Sequence, residues 1–63
     1  MNKTLNGSYD EHDQAKNTWD DLIATGIPRD NVYIDEDAKV VKVIVPEETE
    51  REVREIFERH RLH

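Results

Sequence analysis

The sequence predicts an α+β domain in the order strand, helix, strand, strand, helix. Apolar residues recur at helical spacing over 15–23 and 53–57, and two β-branched runs flank an acidic turn within 32–45. A right-handed strand–helix–strand crossover leaves a gap that the third strand can enter antiparallel. We therefore expect an antiparallel or mixed three-stranded sheet in the order 1-3-2, with two helices on one face. This is a truncated ferredoxin-like fold.

Length and charge limit what the chain can be. Its 63 residues predict one domain, 1–63, with fraying expected at 1–2 and 61–63. The net charge is −6, and the absence of cysteine excludes a disulfide scaffold or a thiolate metal site. The longest apolar run, 40–45, is interrupted by Lys42 and is too short to cross a membrane. We therefore expect a cytoplasmic protein with no membrane partner.

The first strand is expected over about residues 3–8, at an edge of the sheet. Leu5, Gly7 and Tyr9 alternate onto one face, as in a half-buried strand. Asn6-Gly7 is also typical of turns, so a frayed N-terminal tail is the alternative.

The first helix is expected over 11–25. Asp10 suits the N-cap position, while Gly26 and Pro28 mark the end of the helix. Its apolar face comprises Ala15, Trp19, Leu22 and Ile23.

A β-hairpin is expected over 32–45, with 35–38 as its turn. The expected pairs are Ile34 with Lys39, Tyr33 with Val40 and Val32 with Val41. This register places both core-facing sets on the same side. The more apolar strand, 40–45, should lie at the centre of the sheet.

The second helix is expected over 47–60. Pro46 can open it, and Thr49 with Glu52 offers a capping box one turn later. Its apolar stripe comprises Val53, Ile56, Phe57 and His60. The whole predicted core is Trp19, Leu22, Ile23, Val53, Ile56 and Phe57 against Leu5, Val32, Ile34, Val41, Val43 and Val45.

One run of residues is similar to a known family. Tyr9-Asp10, Ala15, Leu22-Ile23 and Gly26-Ile27-Pro28-Arg29-Asp30 stand in this order before Val32-Tyr33-Ile34. The run resembles the small general-stress (heat-induced stress protein) domain of bacteria. In that family an aromatic-Asp pair ends a strand, and a Gly-hydrophobic-Pro turn ends a helix. The resemblance covers about 4–35 and implies a bacterial, stress-linked cytosolic protein, without catalytic residues to carry over. Asn6-Gly7-Ser8 departs from the family's first strand, and nothing after His63 supplies a fourth strand.

Three groups of residues are candidates for a metal site. Asp10, His12 and Asp13 lie close in sequence, as do His60 and His63. For neither group does the sequence indicate a further ligand that would converge on the same metal ion. The turn 35–37 lacks the glycine and distant glutamate of a calcium loop. The sequence therefore predicts no metal site and no cofactor.

Catalysis is not predicted either. Ser8 has no glycine elbow around it, and no sequence feature forms a pocket that would separate the pKa values of two carboxyl groups. We expect no enzymatic activity and no catalytic residue.

A basic stripe on the second helix gives the alternative function, a small-ligand or nucleic-acid-binding regulator. Arg51, Arg54 and Arg61 fall near one line, which suits a phosphate. Glutamates precede the first two of these arginines by four residues, which favours a solvated, salt-bridged face instead. Nucleic acid is therefore not the expected partner.

The leading prediction is a protein-protein contact. Tyr33, Val40, Lys42 and Ile44 point away from the helices in the predicted sheet. Three apolar side chains grouped on an uncovered face begin to form an interaction patch. The sequence thus predicts a small acidic domain that binds a protein partner or a second copy of itself as a homodimer. It does not identify the partner.

Overall fold

The computed structural model describes all residues from 1 to 63. The elements are β1 (Asn2–Ser8), α1 (His12–Thr25), β2 (Val32–Asp35), β3 (Val40–Pro46) and α2 (Glu50–Arg59), with 3₁₀ turns at Arg29–Asn31 and Glu47–Thr49. The sheet is antiparallel in the order β1-β3-β2, which confirms the predicted fold class. No helix has the length and apolar character needed to cross a membrane.

The alternation of apolar residues builds the covered face of the sheet. Leu5 lies opposite Val43 and Gly7 opposite Val41, while Val32 flanks Val43 on the other side. All five of these residues are buried, because the helices pack on this face. β1 is therefore a full strand, and its pairing along the whole of β3 places the valine-rich strand in the centre as predicted.

The predicted register of the hairpin is wrong by two residues. Tyr33 lies opposite Lys42 rather than Val40, and Ile34 lies opposite Val41 rather than Lys39. Asp35 causes this difference. Its Oδ1 accepts hydrogen bonds from the backbone N–H groups of Asp37 and Ala38, both at 3.1 Å. The turn therefore spans 36–39 and ends with Lys39 in the left-handed region at φ 56°. A shift of two residues leaves every side chain on its predicted face.

The helix ends differ slightly from the predictions. α1 is capped by Glu11 rather than Asp10, and Glu11 forms a capping box with Gln14. The Gln14 side chain also accepts from the backbone N–H of Asp10. Gly26 ends α1 at φ 113°, as predicted. The segment Glu47–Thr49 is a 3₁₀ turn, so α2 begins at Glu50.

One core of twelve buried apolar residues lies between the sheet and the helices. Its members are Leu5, Tyr9, Ala15, Leu22, Ile27, Val32, Val41, Val43, Val45, Val53, Ile56 and Phe57. Trp19 and Ile23, both predicted in the core, are half-buried and pack against it. Ile34 was also predicted in the core but is 37% exposed, because it lies beside the turn on the short edge strand β2.

The last residues have defined partners that the sequence did not predict. The backbone N–H of Ser8 donates to the carbonyl of His63 at 3.0 Å, and the N–H of His63 donates back at 2.9 Å. Leu62 packs against the core, and its N–H donates to the carbonyl of Phe57. Residues expected to fray therefore cover one end of β1.

Candidate interaction surfaces

The uncovered face of the sheet carries the four predicted contact residues. Tyr33 and Lys42 form a cross-strand pair, and Val40 and Ile44 lie two residues to either side of Lys42 on β3. Tyr33 is 51% exposed and Lys42 is also exposed, whereas Val40 and Ile44 are half-buried. The structure thus brings the four together as predicted, with the lysine at the centre of the apolar group.

β1 supplies a polar half of this face that the sequence analysis missed. Thr4 lies opposite Ile44, Asn6 opposite Lys42 and Ser8 opposite Val40. All three β1 side chains are exposed. Their alternation with Leu5 and Gly7 was the signal that could have placed them here. The face is therefore an apolar and cationic centre with a polar margin.

The outer edge of β1 is a second surface with unpaired backbone. The reciprocal bonds between Ser8 and His63 show that the amide groups of the even-numbered β1 residues point outward, since orientation alternates along a strand. The backbone groups of Asn2, Thr4 and Asn6 have no partner outside the pairing with β3. A groove of about 230 Å³ runs beside this edge, lined by Asn6, Arg54, Phe57, Glu58, Leu62 and His63.

The structure does not assemble the arginine stripe into a site. Arg54 donates from Nε and Nη2 to Oε2 of Glu50, at 2.9 and 2.7 Å. Arg51 and Arg61 are exposed and line no cavity, and Arg54 is the only one of the three that does. The guanidinium of Arg54 is therefore already bound by a carboxylate of the same helix, that of Glu50.

The three histidines each contact a different carboxylate. His12 lies 3.3 Å from Glu36, and His63 lies 3.2 Å from Asp10. His60 instead contacts a residue of α1, so His60 and His63 do not converge. No three His, Asp or Glu side chains lie together as a metal site would require.

A shallow acidic cleft lies where β1 leaves the sheet. Its volume is about 290 Å³, and Tyr9, Asp10, Glu11, His12, Glu36 and Lys39 line it. Burial raises the pKa of the Tyr9 phenol, and the negative charges of Glu36 and Asp35 raise it further. The phenol is therefore held protonated, and Tyr9 is a member of the buried core.

Asp21 joins the two helices. Its Oδ2 accepts from Nη1 of Arg59 at 2.8 Å and lies 2.9 Å from Nε2 of His60. The hydrogen bond from His60 lowers the pKa of Asp21, and Arg59 lowers it further against the opposing effect of desolvation. The carboxylate, half-buried between the helices, is therefore held in its charged form as a structural link.

No family model, curated protein or solved structure matches this chain. The similarity to the general-stress domain therefore stays a prediction.

Proposed function

We propose that this chain is a protein-protein interaction domain that acts through the uncovered face of its sheet. The observation that carries the proposal is the exposure of half of the Tyr33 side chain beside Val40 and Ile44, on a face that neither helix covers. Aromatic residues are enriched at interfaces, because they bury a large area at little cost in side-chain entropy.

The chemistry of the face indicates the kind of partner. Tyr33, Val40 and Ile44 offer apolar area, and Lys42 at their centre offers a cation. The polar residues of β1 can form the hydrated polar rim that protein interfaces commonly have. A protein surface with an apolar residue beside a carboxylate complements this arrangement. The resemblance to the general-stress domain adds a stress-related role in the bacterial cytoplasm to the proposal.

A double substitution, Tyr33→Ser with Ile44→Ser, tests the proposal. Native mass spectrometry of the tagged chain, alone and isolated from lysate, should show a defined complex that the double variant weakens at least about 30-fold, the effect of losing an interface hot spot. Circular dichroism should show an intact fold, because both residues lie outside the core. Glu52→Ser with Glu55→Ser, on the exposed side of α2, is the matched control and should leave the complex unchanged.

Two outcomes would contradict the proposal. One is a chain that is free of partners both alone at millimolar concentration and in lysate. The other is a complex that survives the double substitution but weakens steeply with salt and with Arg51→Gln, which would favour a phosphate or nucleic-acid ligand.

A further inference from the structure

Packing on one face of β1 and exposure on the other place the dipeptide Asn6-Gly7 in this strand. Gly7 is buried, and a Cβ atom there would lie 2.9 Å from Leu62 and 3.0 Å from Phe57, so the position favours a residue without a side chain. Asn6 points to the uncovered face of the sheet, where it is exposed and lies opposite Lys42. The fold therefore places a side-chain amide directly before a glycine on this face.

An asparagine before a glycine is chemically labile, because no Cβ hinders the approach of the glycine nitrogen to the side-chain amide. The backbone nitrogen of Gly7 would bond to Cγ of Asn6 and close a five-membered succinimide ring. The bond from Cγ to Nδ2 breaks, and ammonia leaves with the proton of the Gly7 N–H. Water then opens the ring at either carbonyl carbon. The product is aspartate or isoaspartate, and no atom is oxidised or reduced.

We propose that Asn6 is a site of spontaneous deamidation, with water as the only co-reactant, and that closure of the C-terminal tail over β1 sets the rate. In the folded strand the reaction is blocked. Ser8 directs its backbone N–H at His63, so the N–H of Gly7 points the other way, into the ladder with β3. Ring closure also needs a backbone conformation at Asn6 that differs from that of an extended strand.

The tail closes β1 at this point through few contacts. Ser8 and His63 exchange two backbone hydrogen bonds at 3.0 and 2.9 Å, and Leu62 lies over Gly7. Arg61 has φ 60°, a left-handed conformation that is unfavourable for a residue other than glycine. A short segment held in this way opens locally more often than the whole chain unfolds. Opening of the tail and of the end of β1 therefore gates the reaction.

The two products act differently on the fold. Aspartate at position 6 keeps the main chain unchanged and adds a negative charge directly opposite Lys42, on the uncovered face of the sheet. Isoaspartate routes the main chain through the former side chain and lengthens it by one carbon atom. Gly7 and Ser8 then lose their register with β3, and the bonds of Ser8 to His63 are lost with it. Deamidation thus changes the charge of the sheet face or releases the tail.

Peptide mapping by mass spectrometry with electron-transfer fragmentation measures the reaction. In mildly alkaline buffer the folded chain should slowly gain, at Asn6, the mass that replacement of NH₂ by OH gives, as both aspartate and isoaspartate. Asn2, on the same face of β1 but followed by Lys3, is the internal control and should stay unmodified. A peptide of residues 3–9 should react at least about tenfold faster, because no sheet holds it. Reaction of Asn6 no faster than that of Asn2, or as fast as in the peptide, would overturn the proposal.

Leu62→Ala tests whether the tail sets the rate. The substitution removes the side chain that lies over Gly7 and should speed the reaction of Asn6 in the folded chain at least about threefold. Val32→Ala, in the buried part of β2, is the control for a general loss of stability. Equal acceleration by the two variants, at equal loss of stability in urea denaturation, would overturn the role of the tail.

Amide hydrogen exchange of the wild type gives a test that needs no variant. The amide of Gly7 should exchange faster than that of Val43 in the central strand, because opening of the end of β1 frees the first but not the second. Equal protection of the two amides would show that β1 opens only with the whole fold, and it would overturn local gating.

The effect on the sheet face rests on the proposed function and has its own test. Asn6→Asp places a carboxylate opposite Lys42 and should weaken the complex formed through that face at least about fivefold. Asn2→Asp, opposite Pro46 at the far end of β1, is the matched control and should leave the complex unchanged. A complex indifferent to Asn6→Asp would overturn this effect. The deamidation rates are measured on the free chain, so they test the modification site even where no partner binds.

Discussion

The side-chain amide of Gln14 joins the first turn of α1 to the end of α2. Its Nε2 donates to the carbonyl oxygens of His60 at 2.8 Å and Arg61 at 2.9 Å. Its Oε1 accepts from the backbone N–H groups of Asp10 and Glu11. One side chain thus satisfies backbone groups at two helix ends that the chain separates by 46 residues. The bridge therefore ties the start of α1 to the end of α2.

Gln14→Ala is therefore expected to lower the free energy of unfolding by about 1–3 kcal/mol, because it leaves several backbone groups without partners. Urea denaturation at 25 °C measures this loss. Asn17→Ala, at an exposed position of the same helix, is the matched control and should change stability by less than about 0.5 kcal/mol. Equal effects of the two substitutions would show that the bridge contributes nothing.

The sequence was sufficient for the architecture but not for the hairpin register. The alternation of valines fixes which face each residue occupies, and a shift of two residues keeps that alternation. Apolar patterning therefore cannot distinguish Tyr33 opposite Val40 from Tyr33 opposite Lys42. The choice is made by the carboxylate of Asp35, whose hydrogen bonds move the turn by one residue toward Lys39.

Contacts between distant parts of the chain also could not be predicted from the sequence. Nothing local in Gln14 or Leu62 indicates that one bridges the helices and the other closes the core. Thr18 is another case, since it is fully buried and its hydroxyl donates to the carbonyl of Gln14 at 2.7 Å. The four residues of the proposed sheet face could be predicted, because their orientation follows from strand alternation alone.

Asp21 gives a prediction about pH. Its pKa lies below the ordinary value of 3.8 in the folded chain, so the bonds from His60 and Arg59 stabilise the fold above that pH. This contribution is lost as the pH falls through the lowered pKa. The difference in unfolding free energy between the wild type and Asp21→Asn should therefore be largest above about pH 5 and shrink below about pH 4. Urea denaturation at several pH values measures it.

The neighbouring carboxylate is the control for this pH dependence. Asp20 is exposed and takes part in neither bond, so Asp20→Asn should give a small difference at every pH. A constant difference for Asp21→Asn from pH 7 to pH 3 would contradict the role assigned to its carboxylate.

The two glycines should respond to alanine for different reasons. At Gly7 a Cβ would lie 2.9–3.0 Å from Leu62 and Phe57, so Gly7→Ala should cost about 1–3 kcal/mol through overpacking. At Gly26 a Cβ would meet no atom within 4 Å, but φ is 113°. Gly26→Ala should therefore cost about 1 kcal/mol through backbone strain alone.

A double-mutant cycle with Leu62→Ala separates the two causes. Removal of the Leu62 side chain relieves the crowding at Gly7, so the costs of Gly7→Ala and Leu62→Ala should be less than additive by about 0.5 kcal/mol or more. Gly26→Ala and Leu62→Ala should be additive. Additivity in both cycles would show that the tail does not pack on β1.

Asp35→Ala tests the cause of the register. The substitution removes the acceptor for two backbone N–H groups and should lower stability by about 1–2 kcal/mol, with Asp37→Ala as the control. The wild-type hairpin should show a close contact between the α-protons of Ile34 and Val41, which are directly opposite each other. The register expected from the sequence would instead give a contact between Val32 and Val41. Appearance of that second contact in Asp35→Ala would show that Asp35 selects the register, and persistence of the first contact with unchanged stability would contradict this.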